Sequence, residues 1–163
     1  MDWSALSVSL RLAAFTCLIL LPIAIWLGRS LAYTRFRGKG LCEALIALPL
    51  VLPPTVLGFY LLLSFGRDAP VGSFWAGMTI LLASLIANLP FAVQPIQRAF
   101  EHVPHNLREA AWCSGLSPWQ TLLRIELPLV WPGIMSAAAL TFAHTLGEFG
   151  VILMVGGAID GET

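Results

Sequence analysis

His144 and Glu148 lie one helical turn apart inside an otherwise apolar segment of this 163-residue chain, the spacing and residue types for metal or proton chemistry. An ionisable pair in such a setting is a functional candidate. The pair has no further ligands, though, and a metal site generally needs at least three protein groups, so no metal is assigned. Cys17, Cys42 and Cys113 are scattered without C-x-x-C spacing, which suggests neither a metal site nor a disulfide framework. All three read as packing residues. A hydrolase would need a nucleophile and a base, and neither G-x-S-x-G nor H-E-x-x-H occurs; there is no phosphate-cradling P-loop either. The residue types point to no enzyme and to no cofactor.

The elements that would position these residues belong in a bilayer. The chain is 58% hydrophobic and 11% charged, against about 25% charged in ordinary soluble domains. Its formal net charge of zero offers no basic footprint for nucleic acid. Four uncharged stretches run from Leu12 to Gly28, Ala44 to Gly66, Ala69 to Gln97 and Leu127 to Gly147. Each approaches or exceeds the roughly 20 residues a helix needs to cross the hydrocarbon. The expectation is an all-α, polytopic helix bundle of four spans. The first is the shortest, and Leu6, Val8 and Leu10 can extend it past Arg11, which can snorkel.

Charge placement orients the spans. Arg29, Arg35, Arg37 and Lys39 lie between the first two, and Arg98, Arg108 and Arg124 between the last two, together seven of the nine basic residues. The positive-inside rule places both segments in the cytoplasm and the N-terminus outside. A cleaved signal peptide has its basic residues before the apolar run; here Asp2 precedes it and the basic residues follow, so the first segment reads as a retained span.

Within span two, Pro49, Pro53 and Pro54 require a kink or break near mid-membrane. That break fits equally a structural bend or a hinge lining a solute path. Gly77, Ser84 and Asn88 share one face of span three, a pattern that favours helix packing over solute contact. An ion-coupled secondary transporter would need ionisable groups within the spans, and outside the His144 and Glu148 region there are none.

The segment 98–126 carries Glu109-Ala110-Ala111, then Gly115, then Ile125-Glu126-Leu127-Pro128. Asn106 with Glu109, and Ser117 with Gln120, both have capping-box spacing, the first more loosely. Pro118 falls at the first helical position. Two helices broken near Gly115 are expected, the first from Leu107 to Ser114 and about 12 Å long. A rigid short helix can sit in a partner's cleft and carry its displacement as one body. Ala110 and Ala111 permit close approach and Gly115 a sharp turn, while Glu109 suits a helix start. The second helix runs into Leu127-Pro128, which returns the chain to the membrane.

E-A-A, three residues, G, nine residues, I-x-L-P resembles the cytoplasmic loop of ABC-importer permeases, with each fixed position present. Leu48-Pro-Leu-Val-Leu-Pro-Pro54, Leu146-Gly-Glu-Phe-Gly150 and Gly161-Glu-Thr163 further resemble the permeases for tetrahedral oxyanions, molybdate above all, with sulfate and tungstate permeases close behind. The resemblance implies a type I importer permease domain over 1–163 in the inner (plasma) membrane, in contact with lipid. It also implies a homodimer, two copies of a separate ATPase, and an extracytoplasmic oxyanion-binding protein. Glu109, Ala110, Ala111, Gly115, Ile125, Leu127 and Pro128 become the ATPase-docking element. Candidate pathway or gate residues are Pro49, Pro53, Pro54, Ser84, Asn88, Gly147, Glu148 and Gly150, with Gly147, Glu148 and Gly150 forming a turn near the outer end in which Glu148 satisfies backbone donors. Relatives continue with at least one more span after G-E-T, so a C-terminally shortened chain is expected. No Lys or Arg lies within the four stretches, so a divalent anion would be held weakly enough to leave, with selection falling to the binding protein.

The topology is directly testable. In a cysteine-free background, Gly38→Cys and Ser73→Cys are expected to react with an impermeant thiol reagent from opposite sides of the membrane. Labelling of Gly38→Cys from outside would overturn the orientation.

Overall fold

The structure is a computed structural model that describes residues 3–53, 56 and 72–156. The described residues form helices and short connections, with no strand among them: α1 (Trp3–Tyr33), α2 (Lys39–Val51), α3 (Gly72–Glu101), α4 (His105–Cys113), α5 (Pro118–Thr121), a π-helical turn (Leu122–Glu126) and α6 (Leu127–Gly156). Among the described residues, two stretches are long and apolar enough to cross a membrane, Leu6–Tyr33 and Pro118–Glu148.

The first expected span is longer than its uncharged stretch: α1 continues past Arg11 at one end and Arg29 at the other, because long basic side chains can reach polar surroundings from within a helix. In span two, α2 tolerates Pro49 and stops at Val51, after which Leu52 is extended (φ −79°, ψ 129°) before Pro53. A residue preceding proline is disfavoured in the α region. Pro54 and the rest of span two through Gly66 lie outside the described residues.

The core is built by α1, α3 and α6, where Leu20, Ala24, Ala92, Val93, Ile96, Phe100, Val130, Ile134 and Ala137 meet, and α2 packs along α3. Its chemistry is reversed relative to a water-soluble bundle. Thr16, Asn88, Thr121, Glu126 and Thr141 are fully buried, whereas Trp3, Leu18, Trp26 and Val51 are 76%, 70%, 69% and 79% exposed. In water such a surface would be a large adhesive patch; against lipid it is the ordinary outer face, and polar groups turn inward, most of them hydrogen-bonded there, while the Thr141 hydroxyl has no partner among the described residues.

Two glycines set how closely the helices approach. A Cβ on Gly28 of α1 would stand 3.0 Å from the Gln97 backbone nitrogen and 3.0 Å from Ile96 Cγ2 of α3. On Gly133 of α6 it would stand 2.5 Å from Ala99 Cβ and 3.3 Å from the Pro95 carbonyl oxygen of α3. Small residues at such crossings let backbones touch. Gly133→Ala is therefore expected to push α3 and α6 apart at a cost of roughly 1–3 kcal/mol, as overpacking typically does. Gly147→Ala, whose Cβ meets nothing within 4 Å, is expected to be neutral or mildly stabilising. Thermal unfolding of the detergent-extracted protein checks both; equal melting temperatures would refute the close crossing.

Candidate functional site

The spacing of the docking segment is the geometry of a helix end. Helix α4 finishes at Cys113, Ser114 follows near the helical region (φ −81°, ψ 3°), and Gly115 turns left-handed at φ 85°. The Leu116 N–H then donates to the Ala111 carbonyl at 3.1 Å and the Gly115 N–H to the Trp112 carbonyl at 3.0 Å. These two bonds define a Schellman stop, which wants glycine at its left-handed position. Gly115 thus falls four residues after Ala111 because the turn closes back onto Ala111.

The other end differs from the expectation. Helix α4 begins at His105 after an extended Pro104, with no side-chain cap. Asn106 is already helical and makes no capping box; Glu109 instead lies 3.3 Å from His105 Nε2, an i to i+4 pair on an exposed face. Pro104 leaves the helix start already extended and lacks a donor of its own, so a cap at Asn106 has nothing to terminate. Glu109 and Ala110 are exposed, whereas Ala111 is buried at 4% exposure. Ala111 seats the helix on its own protein and Glu109 and Ala110 are the motif residues facing out. Cys113 is exposed as well, which corrects its reading as a packing residue; Cys17 Sγ, by contrast, donates to the Ala138 carbonyl at 3.8 Å, and Cys42 packs against the core.

Ser117 caps α5 as its spacing predicts. The Gln120 N–H donates to Ser117 Oγ at 3.2 Å, and the Ser117 N–H to Gln120 Oε1 at 3.1 Å, with Pro118 at the first position. From there the chain stays helical through the π turn into α6. Leu127-Pro128 is therefore no break in the chain: the segment after Ser117 and the apolar stretch from Leu127 form one rod. The Leu127 N–H reaches back five residues to the Leu122 carbonyl. Pro128 offers no donor to Arg124 and its ring crowds that carbonyl, and a widened turn accommodates both. Ile125 and Leu127 are partly buried on this turn and Pro128 is exposed.

The π turn delivers Glu126 to the interior, where it has no exposure at all. Arg29 of α1 donates to it through Nε at 2.6 Å (Oε2) and Nη2 at 3.3 Å (Oε1); Arg108 of α4 donates through Nε to Oε1 at 3.2 Å. The Arg108 guanidinium lies 3.5 Å over the Tyr33 ring, and Tyr33 meets Phe100 of α3 edge-on at 5.8 Å. A fully buried carboxylate is tenable only when paired and hydrogen-bonded, and removing one partner of such a cluster costs about 3–5 kcal/mol. Sequence reasoning missed this cluster. The available signal was an acid bordering an uncharged stretch, with Arg29 bordering another.

A second polar group lies deeper. Thr16 of α1 and Ser84 of α3 share a hydroxyl contact at 3.2 Å; Asn88 Nδ2 donates to the Ser84 carbonyl at 2.8 Å; Asn88 Oδ1 faces His144 Nδ1 of α6 at 3.0 Å. An amide oxygen only accepts, so Nδ1 carries a proton. His144 Nε2 is 3.5 Å from Glu148 Oε1, and Phe91 stacks on the imidazole at 4.0 Å. Ser84 and Asn88 thus tie three helices together, the packing role their face suggested. Residues Gly147 to Gly150 continue α6 as helix. The expected turn is absent, and Glu148 meets His144 rather than backbone donors, because an unbroken helix already pairs its own amides. Pro49 is partly buried in α2 and Pro53 is exposed at its end. Among the described residues no cluster of three metal-ligating side chains occurs. Gly161-Glu-Thr163 lies outside the described residues.

Residues 21–162 match the family model described as the binding-protein-dependent transport system inner membrane component. The chain belongs to this family. It is 45% identical to the molybdenum transport system permease protein ModB of Azotobacter vinelandii, over 99% of this chain and 76% of that protein. Identity to ModB of Escherichia coli K12 is 37% over 99% of this chain and 75% of that one. The probable sulfate transport system permease protein cysT of Prototheca wickerhamii is 34% identical over 74% of this chain and 51% of its own length. Members of the family are permease components and not enzymes, in keeping with the missing nucleotide and nucleophile motifs.

Because Gly115 stands in open space at φ 85°, a side chain there is opposed by backbone conformation alone. Gly115→Asn is expected to keep the turn, and Gly115→Val to cost at least about 1–2 kcal/mol, read as faster proteolysis of the 102–117 segment. Equal protease resistance would remove the turn from the docking element.

Proposed function

We propose that this chain is the membrane permease of an ATP-driven importer of tetrahedral oxyanions, with molybdate as its substrate and sulfate or tungstate as the alternatives. The reading rests above all on 45% identity to a molybdenum permease over nearly the whole chain, joined to a docking segment whose motif residues build a stopped helix. Four spans, an outside N-terminus and a cytoplasmic α4 follow from the charge distribution. Two such chains related by a two-fold axis would enclose the path and present two α4 helices to two ATPase subunits.

The division of labour follows from the residues. This chain lacks a P-loop, so hydrolysis belongs to the partner, whose cleft receives Glu109 and Ala110 on a helix held at one end by the Gly115 turn. An extracytoplasmic binding protein delivers the anion. The spans carry no Lys or Arg between their charged borders, and polar side chains and backbone dipoles hold the passing anion weakly enough for release.

Reconstitution of the full-length permease with its ATPase and binding protein in vesicles tests the reading. ATP-dependent uptake of molybdate is expected to exceed that of sulfate by roughly tenfold, the scale set by a difference of about 1.4 kcal/mol. Uptake that ignores ATP and follows an imposed proton gradient would instead make this an ion-coupled transporter.

A further inference from the structure

We propose that Glu126 is the positioning residue through which a displacement of α4 reaches α1, an inference that rests on the docking role assigned to α4. The covalent path from α4 leads elsewhere: through the Gly115 turn and the Ser117 cap into the rod that becomes α6. That path reaches α6 directly, and α1 only through its apolar packing on α6. The side-chain path adds a polar link to α1. Arg108 projects from the middle of α4, lies over the Tyr33 ring of α1 at 3.5 Å, and donates to Glu126 Oε1 at 3.2 Å. The same carboxylate accepts both Arg29 contacts, from one turn before Tyr33 on α1.

Geometry makes this a stiff connection. Arg29 engages the carboxylate through two nitrogens, a planar fork that resists rotation as well as separation. Glu126 is fully buried and Arg108 only 13% exposed, so water cannot easily replace a contact that begins to open. The carboxylate also sits on the π turn, the one place where the rod departs from α-helical winding. Such bulges recur at functional sites. Movement of α4 with Arg108 therefore draws on Glu126 and, through it, on Arg29, so that α1 and α6 shift together at this end of the bundle.

The test separates coupling from folding. Glu126→Gln alone leaves two guanidiniums beside a neutral amide and is expected to lower the amount of assembled complex. The triple variant Arg29→Met, Arg108→Met, Glu126→Gln removes all three charges, and neutral replacement of a whole buried cluster is generally tolerated. Full-length permease carrying each set is reconstituted with ATPase and binding protein, and three quantities are read: assembled complex, ATP hydrolysed, and molybdate imported per ATP. The triple variant is expected to assemble and hydrolyse ATP while import per ATP falls by roughly tenfold, within the usual range for coupling between sites. Wild-type import per ATP in the triple variant would overturn the proposal, and so would its failure to assemble, which would assign the cluster to folding alone. Wild-type vesicles that import no oxyanion would instead sink the functional reading, independently of Glu126.

Discussion

Hydrocarbon provides no partner for a backbone amide or a polar side chain, and the architecture follows from that deficiency. Every segment crossing the bilayer must satisfy its own backbone, which is why the described residues are helical, and most buried polar side chains bond across a helix interface or to their own helix, the Tyr33 and Thr141 hydroxyls being exceptions. Thr16, Ser84, Asn88 and His144 answer that demand in the interior, and Arg29, Glu126 and Arg108 answer it at the border. The apolar residues, freed from any need to hide, cover the outside. Close packing then comes from small residues, since aliphatic side chains gain little by leaving lipid for one another: Gly28 and Gly133 bring α1 and α6 against the backbone of α3.

What was legible in the sequence is what depends on neighbours along the chain. The Ser117 and Gln120 box, Pro118 at the first helical position, the break at Gly115 and the stop ahead of Pro53 are local events with local causes, and each is where its residues place it. The extension of α1 past Arg11 belongs here too. Asn106 misled because a cap is defined by where the preceding chain stops being extended, and Pro104 had already settled that two residues earlier.

What was not legible depends on partners distant in sequence. Glu126 lies 97 residues from Arg29 and 18 from Arg108, and read along the chain it was simply an unassigned position in a motif. Its burial goes with the π turn, which ends two residues before Pro128; the proline is visible, but the resulting side-chain direction appears only in three dimensions. The glycines at 147 and 150 read as a turn because glycine permits one, yet nothing nearby compels it and α6 continues. Ala111 shows the same limit: one face of α4 is turned to the protein and the other outward, a distinction invisible in the run Glu109-Ala110-Ala111.

The crossing at Gly133 has a mechanical meaning. The helical body that starts at Pro118 runs on to Gly156, and Gly133 stands midway between Pro118 and Glu148, about 22 Å from each at 1.5 Å per residue. The Gly133 backbone lies there against the Ala99 methyl and the Pro95 carbonyl of α3, neither of which can rotate out of the way. A rod held at that point behaves as a beam on a fulcrum. A tilt applied at Pro118 would swing Glu148 through nearly the same arc in the opposite direction and His144, closer to the fulcrum, through about three-quarters of it.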